Sequence, residues 1–181
     1  MDNGASSYRR FLSGDESAFD EIMKDYFDSL VFFINRYVQD IHVSEDIAID
    51  VFSDLIVHKH RYNFKVTFKT YLFMLGRSRA LNYIKRRKTI EFVELSEAEK
   101  SEKETLEETV LKNEQNKALN RAISSLSEDM RAAVHLVYFE GLSYDETAKV
   151  MKKNKKQIDN LLYRAKKELL IILKEDGEFL L

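Results

Sequence analysis

Residues 152–167, KKNKKQIDNLLYRAKK, bring cationic and hydrogen-bonding side chains together in a chain whose formal net charge is only −2. Lysines neutralise phosphates and release counterions, while Gln, Asn and Asp side chains can pair with base edges in the major groove of DNA. The segment therefore predicts nucleic-acid binding, and the alternative is a solvated lysine-rich face on an ordinary amphipathic helix. The residues predicted to contact phosphates are Lys155, Lys156, Lys166 and Lys167, and those predicted to contact base edges are Gln157, Asp159 and Asn160.

The same segment belongs to a pattern that is typical of a helix-turn-helix. A short helix over residues 144–151, a turn over 152–154 and a longer helix from Lys155 onward predict that the second helix enters a major groove. The turn has Lys152 where glycine is usual and Lys153 where an apolar residue is commonly buried, while Asn154 is suited to capping the next helix. Periodicity places Ile158, Leu161 or Leu162, Ala165 and Leu169 inward, and Lys155, Lys156, Asp159, Asn160 and Tyr163 outward.

A second basic segment, residues 61–88, contains no acidic residue and interleaves its cations with tyrosines and phenylalanines. Bases that leave a duplex can stack on aromatic rings while cations follow the phosphates, so this composition suits a single-stranded nucleic acid. A loop over residues 62–67 can also enclose a base that is turned out of the helix. The alternative is that the aromatic residues are core. Periodicity predicts core positions for Phe68, Leu72 and Leu75. Tyr62, Asn63 and Phe64 fall in a predicted loop and are therefore expected at the surface.

Residues 89–108 separate the two basic segments and are rich in glutamate with few apolar residues. This composition predicts a linker that is solvated or loosely helical, because it buries little surface. Two cationic sites on one chain, joined by an anionic linker, suggest that the protein grips one nucleic acid at two places and gains effective concentration.

The composition of the 181 residues predicts an all-α protein. Prolines are absent and only five glycines occur, so residues that end helices or form tight turns are scarce, and 44% hydrophobic residues are enough for a core. Helices are predicted from Ser17 to about Gln39, from Ser44 to about residue 57, and from Thr67 to Arg87. In the carboxy-terminal part they are predicted over residues 127–140, 143–151 and 155–173, with Ser143 and Glu146 forming a capping box.

Several classes of site and compartment are not indicated by the sequence. The chain has no cysteine, and its four histidines are scattered, so we expect no metal site, no cofactor and no disulfide. A glycine-rich phosphate-binding loop is also lacking, and we expect no catalysis by the chain itself. Without a signal peptide or a membrane-spanning stretch, a cytoplasmic protein without membrane insertion is expected.

Three motifs in order resemble those of the extracytoplasmic-function (ECF) sigma factors, which belong to the sigma-70 family of bacterial RNA polymerase. SEDIAIDVFSDLI, residues 44–56, is similar to the family's polymerase-binding helix, and FKTYLFMLGRSRALNYIKRRK, residues 68–88, to its minus-ten helix. Residues 126–169 are similar to its minus-thirty-five domain. The resemblance implies two small helical domains: residues 1–88, which resemble sigma region 2, and residues 109–181, which resemble region 4, with residues 89–108 as the acidic linker.

The resemblance also implies roles for individual residues. Contacts with core RNA polymerase are expected from Asp46, Ile49, Asp50, Phe52 and Ser53. Contacts with minus-ten promoter DNA, including base capture and melting, are expected from Arg61, Tyr62, Asn63, Phe64, Lys65, Arg77, Asn82, Lys85 and Arg86. Contacts with minus-thirty-five DNA are expected from Lys155, Lys156, Gln157, Asp159, Asn160, Tyr163, Arg164 and Lys167.

The expected function is that of a sigma factor, which directs core RNA polymerase to specific promoters and aids DNA melting. An anti-sigma factor is a possible further partner. One alternative is a helix-turn-helix regulator that binds duplex DNA without polymerase, and another is an RNA-binding adaptor. The basic aromatic segment of residues 61–88 favours the first over the second, because a duplex-binding regulator needs no surface for single strands.

Overall fold

The computed structural model describes residues 3–94 and 114–175, with side chains over residues 3–90 and 119–174. Its contacts divide the chain into two compact units, Met1–Thr105 and Leu106–Leu181, which are described separately below. Within the described ranges every regular element is a helix and none is a strand, so the prediction of an all-α fold is confirmed.

The first unit contains four α-helices. They are α1 (Asn3–Leu12), α2 (Ser17–Val38), α3 (Ile41–Val57) and α4 (Phe68–Glu94), and a short 3-10 turn (Lys59–Arg61) follows α3. Helix α2 packs against the other three helices, and α3 also packs against α4. The predicted start of α2 at Ser17 is confirmed.

The core of the first unit is largely aromatic. Phe33 of α2 and Phe73 of α4 are completely buried, with ring centroids 5.0 Å apart. Phe68 and Leu72 are also completely buried, as periodicity predicted, while Leu75 is half-buried. Gly76 allows α4 to lie close to α2, because a Cβ atom at this position would come within 2.6 Å of Leu30 Cδ1.

Helix α1 had no counterpart in the sequence prediction. Its sequence, NGASSYRRFL, has few apolar residues, and its largest buried side chain is Tyr8, which is fully enclosed. The Tyr8 hydroxyl donates to two backbone carbonyl oxygens, those of Leu55 at 3.2 Å and Lys59 at 2.9 Å. Tyr8 therefore links α1 to the end of α3. The linked residues are far apart in the sequence, so local periodicity does not reveal this interaction.

Two helix boundaries differ from the prediction. Helix α3 begins at Ile41 because Asp40, and not Ser44, is the N-cap, and its carboxylate accepts from the Val43 N–H at 3.1 Å. Ser44 is buried in the first turns of the helix, where its hydroxyl donates to the Asp40 carbonyl at 2.7 Å. Helix α4 continues to Glu94 and so includes the first six residues of the predicted linker, residues 89–94, since no glycine or proline ends it there. The rest of the predicted linker, residues 95–108, lies outside the described residues.

The second unit contains α5 (Glu114–Ser125), α6 (Glu128–Val134), α7 (Tyr144–Met151) and α8 (Lys155–Glu175), with a π-helical turn (His135–Phe139) after α6. Helix α8 packs against each of the other three helices, and its core contacts include Ile158 and Ala165, both completely buried. The predicted capping box of α7 is confirmed, because Ser143 accepts from the Glu146 N–H and Glu146 accepts from the Ser143 N–H. None of the described helices is long and apolar enough to cross a membrane.

We predict that Phe33→Ala lowers the free energy of unfolding of the first unit by about 3–5 kcal/mol, since it leaves a cavity in the aromatic core. The matched control is Phe32→Ala on the same helix, whose side chain is 45% exposed and which should cost less than about 1 kcal/mol. Denaturant unfolding followed by circular dichroism measures both. Equal losses from the two variants would contradict this description of the core.

Candidate nucleic-acid and polymerase interfaces

Helix α8 presents one polar face and buries the other. Ile158, Leu162 and Ala165 are buried, and Leu161 and Leu169 are half-buried, which confirms the predicted inward face. The eight residues predicted to contact minus-thirty-five DNA are all exposed. Tyr163 and Lys167 lie together on this surface, with the ammonium 4.6 Å from the ring centroid. The helix can therefore lay a row of cations and hydrogen-bonding groups against a groove.

The turn before α8 is fixed by backbone geometry and by a reciprocal cap. Lys152 takes a left-handed conformation (φ 53°), at the position where a glycine is usual. The Asn154 side-chain oxygen accepts from the Gln157 N–H, and the Gln157 side-chain oxygen accepts from the Asn154 N–H, both at 2.8 Å. Asn154 thus caps α8 as predicted. The Gln157 side chain is exposed, and its amide oxygen has a second lone pair beside the one used in the cap, so its contact with a base edge stays a prediction.

Two lysines of the helix-turn-helix form ion pairs within the second unit. Lys153 Nζ lies 2.9 Å from the Asp129 carboxylate, which explains how a lysine occupies a position where an apolar residue is common. Lys155 Nζ lies 3.1 Å from Asp145 across the turn, and both side chains are well exposed. An exposed pair of this kind is weak, so the Lys155 ammonium remains available to exchange its partner for a phosphate.

On the first unit, the basic side chains of α4 differ in exposure. Asn82, Lys85 and Arg86 are exposed on the helix, where cations can meet a phosphate backbone. Arg77 is half-buried, and its guanidinium donates to the Tyr37 hydroxyl at 3.3 Å while lying 5.9 Å from the centre of that ring. Arg77 therefore links α4 to α2 in addition to any contact with a ligand.

The loop between the 3-10 turn and α4 is closed by aromatic packing. Tyr62 was predicted at the surface, but it is only 3% exposed, and its hydroxyl donates to the Val66 carbonyl at 2.7 Å. Its ring stacks on the Tyr71 ring, with centroids 4.9 Å apart, and also packs against the Phe64 ring, with centroids 4.4 Å apart. The prediction that Tyr62 is exposed and contacts a base is therefore wrong. The ring is buried beneath the loop and packs against it.

Asn63, Phe64 and Lys65 form the tip of the loop. The Asn63 side chain accepts from the Lys65 N–H at 3.1 Å, which makes an Asx turn, and both residues are exposed. Phe64 is half-buried and has a positive φ of 60°, which is unusual for a residue other than glycine. The Arg9 guanidinium of α1 lies 4.6 Å from the centre of the Phe64 ring. Contacts from outside the loop therefore hold its tip in a defined conformation.

Helix α3 presents the residues predicted to bind polymerase, with one exception. Asp46, Asp50 and Ser53 are exposed, and Ile49 is 52% exposed on the same face. Phe52 is only 2% exposed and packs against Phe19 and Phe27 of α2, so the prediction that it contacts polymerase directly is wrong. Ile56 and Val57, which were not predicted, are half or more exposed and continue the apolar part of this surface.

Sequence reasoning missed a charge cluster around Asp54. The Asp54 carboxylate lies 2.9 Å from His58 Nδ1, 3.6 Å from Arg61 Nη1 and 3.4 Å from Arg79 Nη2. The spacing of Asp54 and His58, four residues apart on one helix, was a local signal for the first contact. The two arginine contacts join α3 to the 3-10 turn and to α4, and only the tertiary structure brings these residues together.

Comparison with known protein families identifies both units. The family model for sigma-70 region 2 matches residues 9–90, and the model for sigma-70 region 4 matches residues 116–169. The chain belongs to the sigma-70 family. Its relatives place it among the ECF sigma factors, so it is a sigma factor that directs core RNA polymerase to promoters. The resemblance to ECF sigma factors, and the sigma-factor function expected from it, are therefore confirmed.

Individual relatives are distant in sequence but similar in length. The RNA polymerase sigma-H factor of Pseudomonas aeruginosa is 28% identical over 170 residues, which is 88% of each chain. The ECF RNA polymerase sigma-E factor of Escherichia coli strain K12 is 28% identical over 174 residues, again 88% of each chain.

Solved structures share the fold. The sigma factor RpoE of Bartonella quintana, in complex with the anti-sigma factor NepR, matches 86% of this chain and 96% of its own with a TM-score of 0.70 and 19% identity. CnrH, in complex with the cytosolic domain of CnrY, matches 96% of each chain with a TM-score of 0.64 and 16% identity.

We predict that Asn154→Ala destabilises the second unit by about 1 kcal/mol, because it removes the oxygen that caps α8. The control is Ser127→Ala at the N-cap of α6, a described residue that makes no side-chain capping bond and should change stability little. Thermal or denaturant unfolding of the full chain gives both values. The cap would have no energetic role if Asn154→Ala and Ser127→Ala behaved alike.

We predict that Tyr8 makes the first unit sensitive to alkali. Burial of the hydroxyl is the main cause that raises the pKa of Tyr8 above its ordinary value of 10.0. Electrostatic interactions with Tyr71 and Asp54 raise it further. Because the folded pKa exceeds the unfolded one, this contribution to stability is complete below about pH 10 and is lost as the pH rises further and the unfolded tyrosine ionises.

Tyr8→Phe should therefore lower the free energy of unfolding near neutral pH by about 1 kcal/mol, since it removes the shared hydrogen bond, and should reduce the further loss above about pH 10. Tyr138→Phe, at a side chain that is 66% exposed, serves as the control. Identical pH dependence of unfolding in the wild type and in Tyr8→Phe would show that Tyr8 is not the responsible group.

Proposed function

We propose that the two units of this sigma factor divide promoter recognition between them. In this proposal residues 109–181 bind the minus-thirty-five element through α8, and residues 1–88 bind core polymerase and the minus-ten element. The observation that carries the proposal is the exposure of all eight predicted residues on α8, in a helix-turn-helix whose second helix is capped and whose opposite face is buried. Specificity at the upstream element then depends on the three residues predicted to contact base edges, Gln157, Asp159 and Asn160, all of which are exposed.

The first unit is proposed to act on single-stranded promoter DNA. The exposed tip of the loop, Asn63 and Lys65, and the exposed residues of α4, Asn82, Lys85 and Arg86, offer hydrogen bonds and charge to an unpaired strand. Tyr62 is buried under this loop and stabilises its conformation, so it does not contact a base directly. Melting then proceeds because the protein stabilises the unpaired strand, and we propose that the chain performs no catalysis itself.

Helix α3 is proposed as the principal contact with core polymerase. Its exposed face combines the carboxylates of Asp46 and Asp50 with apolar side chains, including Ile49 and Val57. Such a face suits an interface with an apolar centre and a charged rim. We further propose that residues 89–108 form an acidic linker between the two domains, that the protein acts in the cytoplasm where polymerase is found, and that an anti-sigma factor can bind it, as in the complexes of RpoE with NepR and of CnrH with CnrY.

Run-off transcription with purified core polymerase and genomic templates tests the proposal. Initiation at defined promoters that depends on the added chain is the expected result. Duplex DNA binding without any association with core polymerase would instead favour a self-sufficient helix-turn-helix regulator. Preferential binding of RNA with neither activity would favour an adaptor.

Asp50→Lys should weaken the association with core polymerase by roughly tenfold, because a positive charge would replace a carboxylate on the proposed interface. The matched control is Asp28→Lys, which makes the same charge change at an exposed position of α2. Affinity is measured by competition for core polymerase against the unmodified chain. Equal affinities of the two variants would exclude Asp50 from the interface.

A further inference from the structure

The Asp54 cluster gathers more positive than negative charge at the junction of α3, the loop and α4. Its single carboxylate is 17% exposed, whereas the Arg61 and Arg79 side chains are 60% and 45% exposed. The two guanidinium groups approach different oxygens of the carboxylate, Oδ2 and Oδ1 respectively. Each guanidinium has five N–H donors, so one shared carboxylate leaves donors that can bind a second anion.

The distances within the cluster show which contacts are strong. His58 lies 2.9 Å from Asp54 and makes a hydrogen bond, while the arginines lie 3.4 and 3.6 Å away, beyond the usual range for a charge-assisted bond. In each pair the arginine is exposed and the distance is long, and a loose ion pair of this kind contributes little. Arg61 and Arg79 are therefore held near one another but can exchange their shared partner for an oxygen of another anion.

An aromatic ring lies beside these charges. Tyr71 is half-buried and stacks on Tyr62 beneath the loop. Burial and the Asp54 carboxylate raise the pKa of the Tyr71 hydroxyl, while Arg61 acts in the opposite direction, which places both charged groups close to this residue. Cations next to an aromatic platform, at the foot of an exposed loop, suit an unpaired nucleotide strand better than a small free anion.

We propose that Arg61 and Arg79 together bind one backbone phosphate of single-stranded promoter DNA, and that the Asp54 carboxylate is the resident counter-ion that the phosphate replaces. This inference rests on the proposed function of the first unit and adds Arg79 and Asp54 to its site. Asp54 acts as a positioning residue: it keeps two like charges side by side in the free protein. Because it competes with the phosphate, it also lowers the affinity for nucleic acid in general.

Binding of a labelled single-stranded DNA of about 16 nucleotides to the full chain tests the proposal, with the same sequence as a duplex in a parallel measurement. The slope of log affinity against log salt reports how many phosphates are neutralised, at about 0.7 per phosphate for single strands. Arg61→Gln, Arg79→Gln and the double variant should each weaken single-strand binding. The double variant should lower the slope by about 0.7 and not by about 1.4, because the two arginines share one phosphate.

Asp54→Asn should strengthen single-strand binding, by roughly twofold to tenfold at low salt, because it removes the competing carboxylate. The first unit contains a matched control cluster, in which Arg10 pairs with Asp15 at 2.7 Å and with Glu21 at 2.9 Å on an exposed surface. Arg10→Gln and Asp15→Asn make the same charge changes there, so they measure the effect of net charge alone. Circular dichroism of each variant confirms that the fold is retained.

The proposal is overturned if Arg79→Gln matches Arg10→Gln in affinity and slope, or if Asp54→Asn matches Asp15→Asn. The proposal is also overturned if the double arginine variant lowers the salt slope for duplex DNA as much as it does for single-stranded DNA. The two arginines would then contact duplex DNA equally well. These outcomes are separate from the proposed function, whose failure would appear as a lack of association with core polymerase in the wild type.

Discussion

Close packing between α2 and α4 is the constraint on which the first unit depends. Phe33 meets Phe73 in a fully buried aromatic contact, and Gly76 allows the two helices to approach where any side chain would collide with Leu30. Burying one face of α4 leaves its opposite face, with its cations, directed outward. The same core holds α3 so that its own acidic and apolar face is exposed. Two proposed binding surfaces of opposite charge thus follow from the packing of a single bundle.

Local hydrogen bonds determine the shape of the turn before α8 and of the loop before α4. In the second unit, a left-handed Lys152 and the reciprocal cap between Asn154 and Gln157 fix the turn that aims α8. In the first unit, the bond from Tyr62 to Val66 and the Asx turn at Asn63 shape the loop before α4. These hydrogen bonds use polar side chains of the types that also contact DNA. Some residues of the right chemical type therefore serve the structure instead of the ligand.

This distinction explains what the sequence predicted and what it did not. Periodicity located α2, α3, α4, α6, α7 and α8 and assigned the inward face of α8, because the spacing of apolar residues is a local property of the chain. The predicted loop placed Tyr62 at the surface, and the family resemblance gave Phe52 a polymerase contact, but both side chains are buried. Their burial is decided by packing against other helices, which the local sequence does not show. Helix α1 and the contact of Arg79 with Asp54 were missed for the same reason. Tyr8 of α1 bonds Lys59, 51 residues away, and Arg79 reaches Asp54 from a different helix.

The central claim is that one chain contacts a promoter at two separate places through two different units. Because the protein has no cysteine, a DNA-cleaving reagent can be attached to a single introduced cysteine. Suitable sites are Ser78→Cys on α4 and, in a separate variant, Lys149→Cys on α7, because both positions are exposed and neither is a proposed contact. With each labelled chain bound to core polymerase on the same promoter, the account predicts cleavage near the transcription start from the first variant and at the upstream element from the second. Cleavage of the same base pairs by both variants would contradict it.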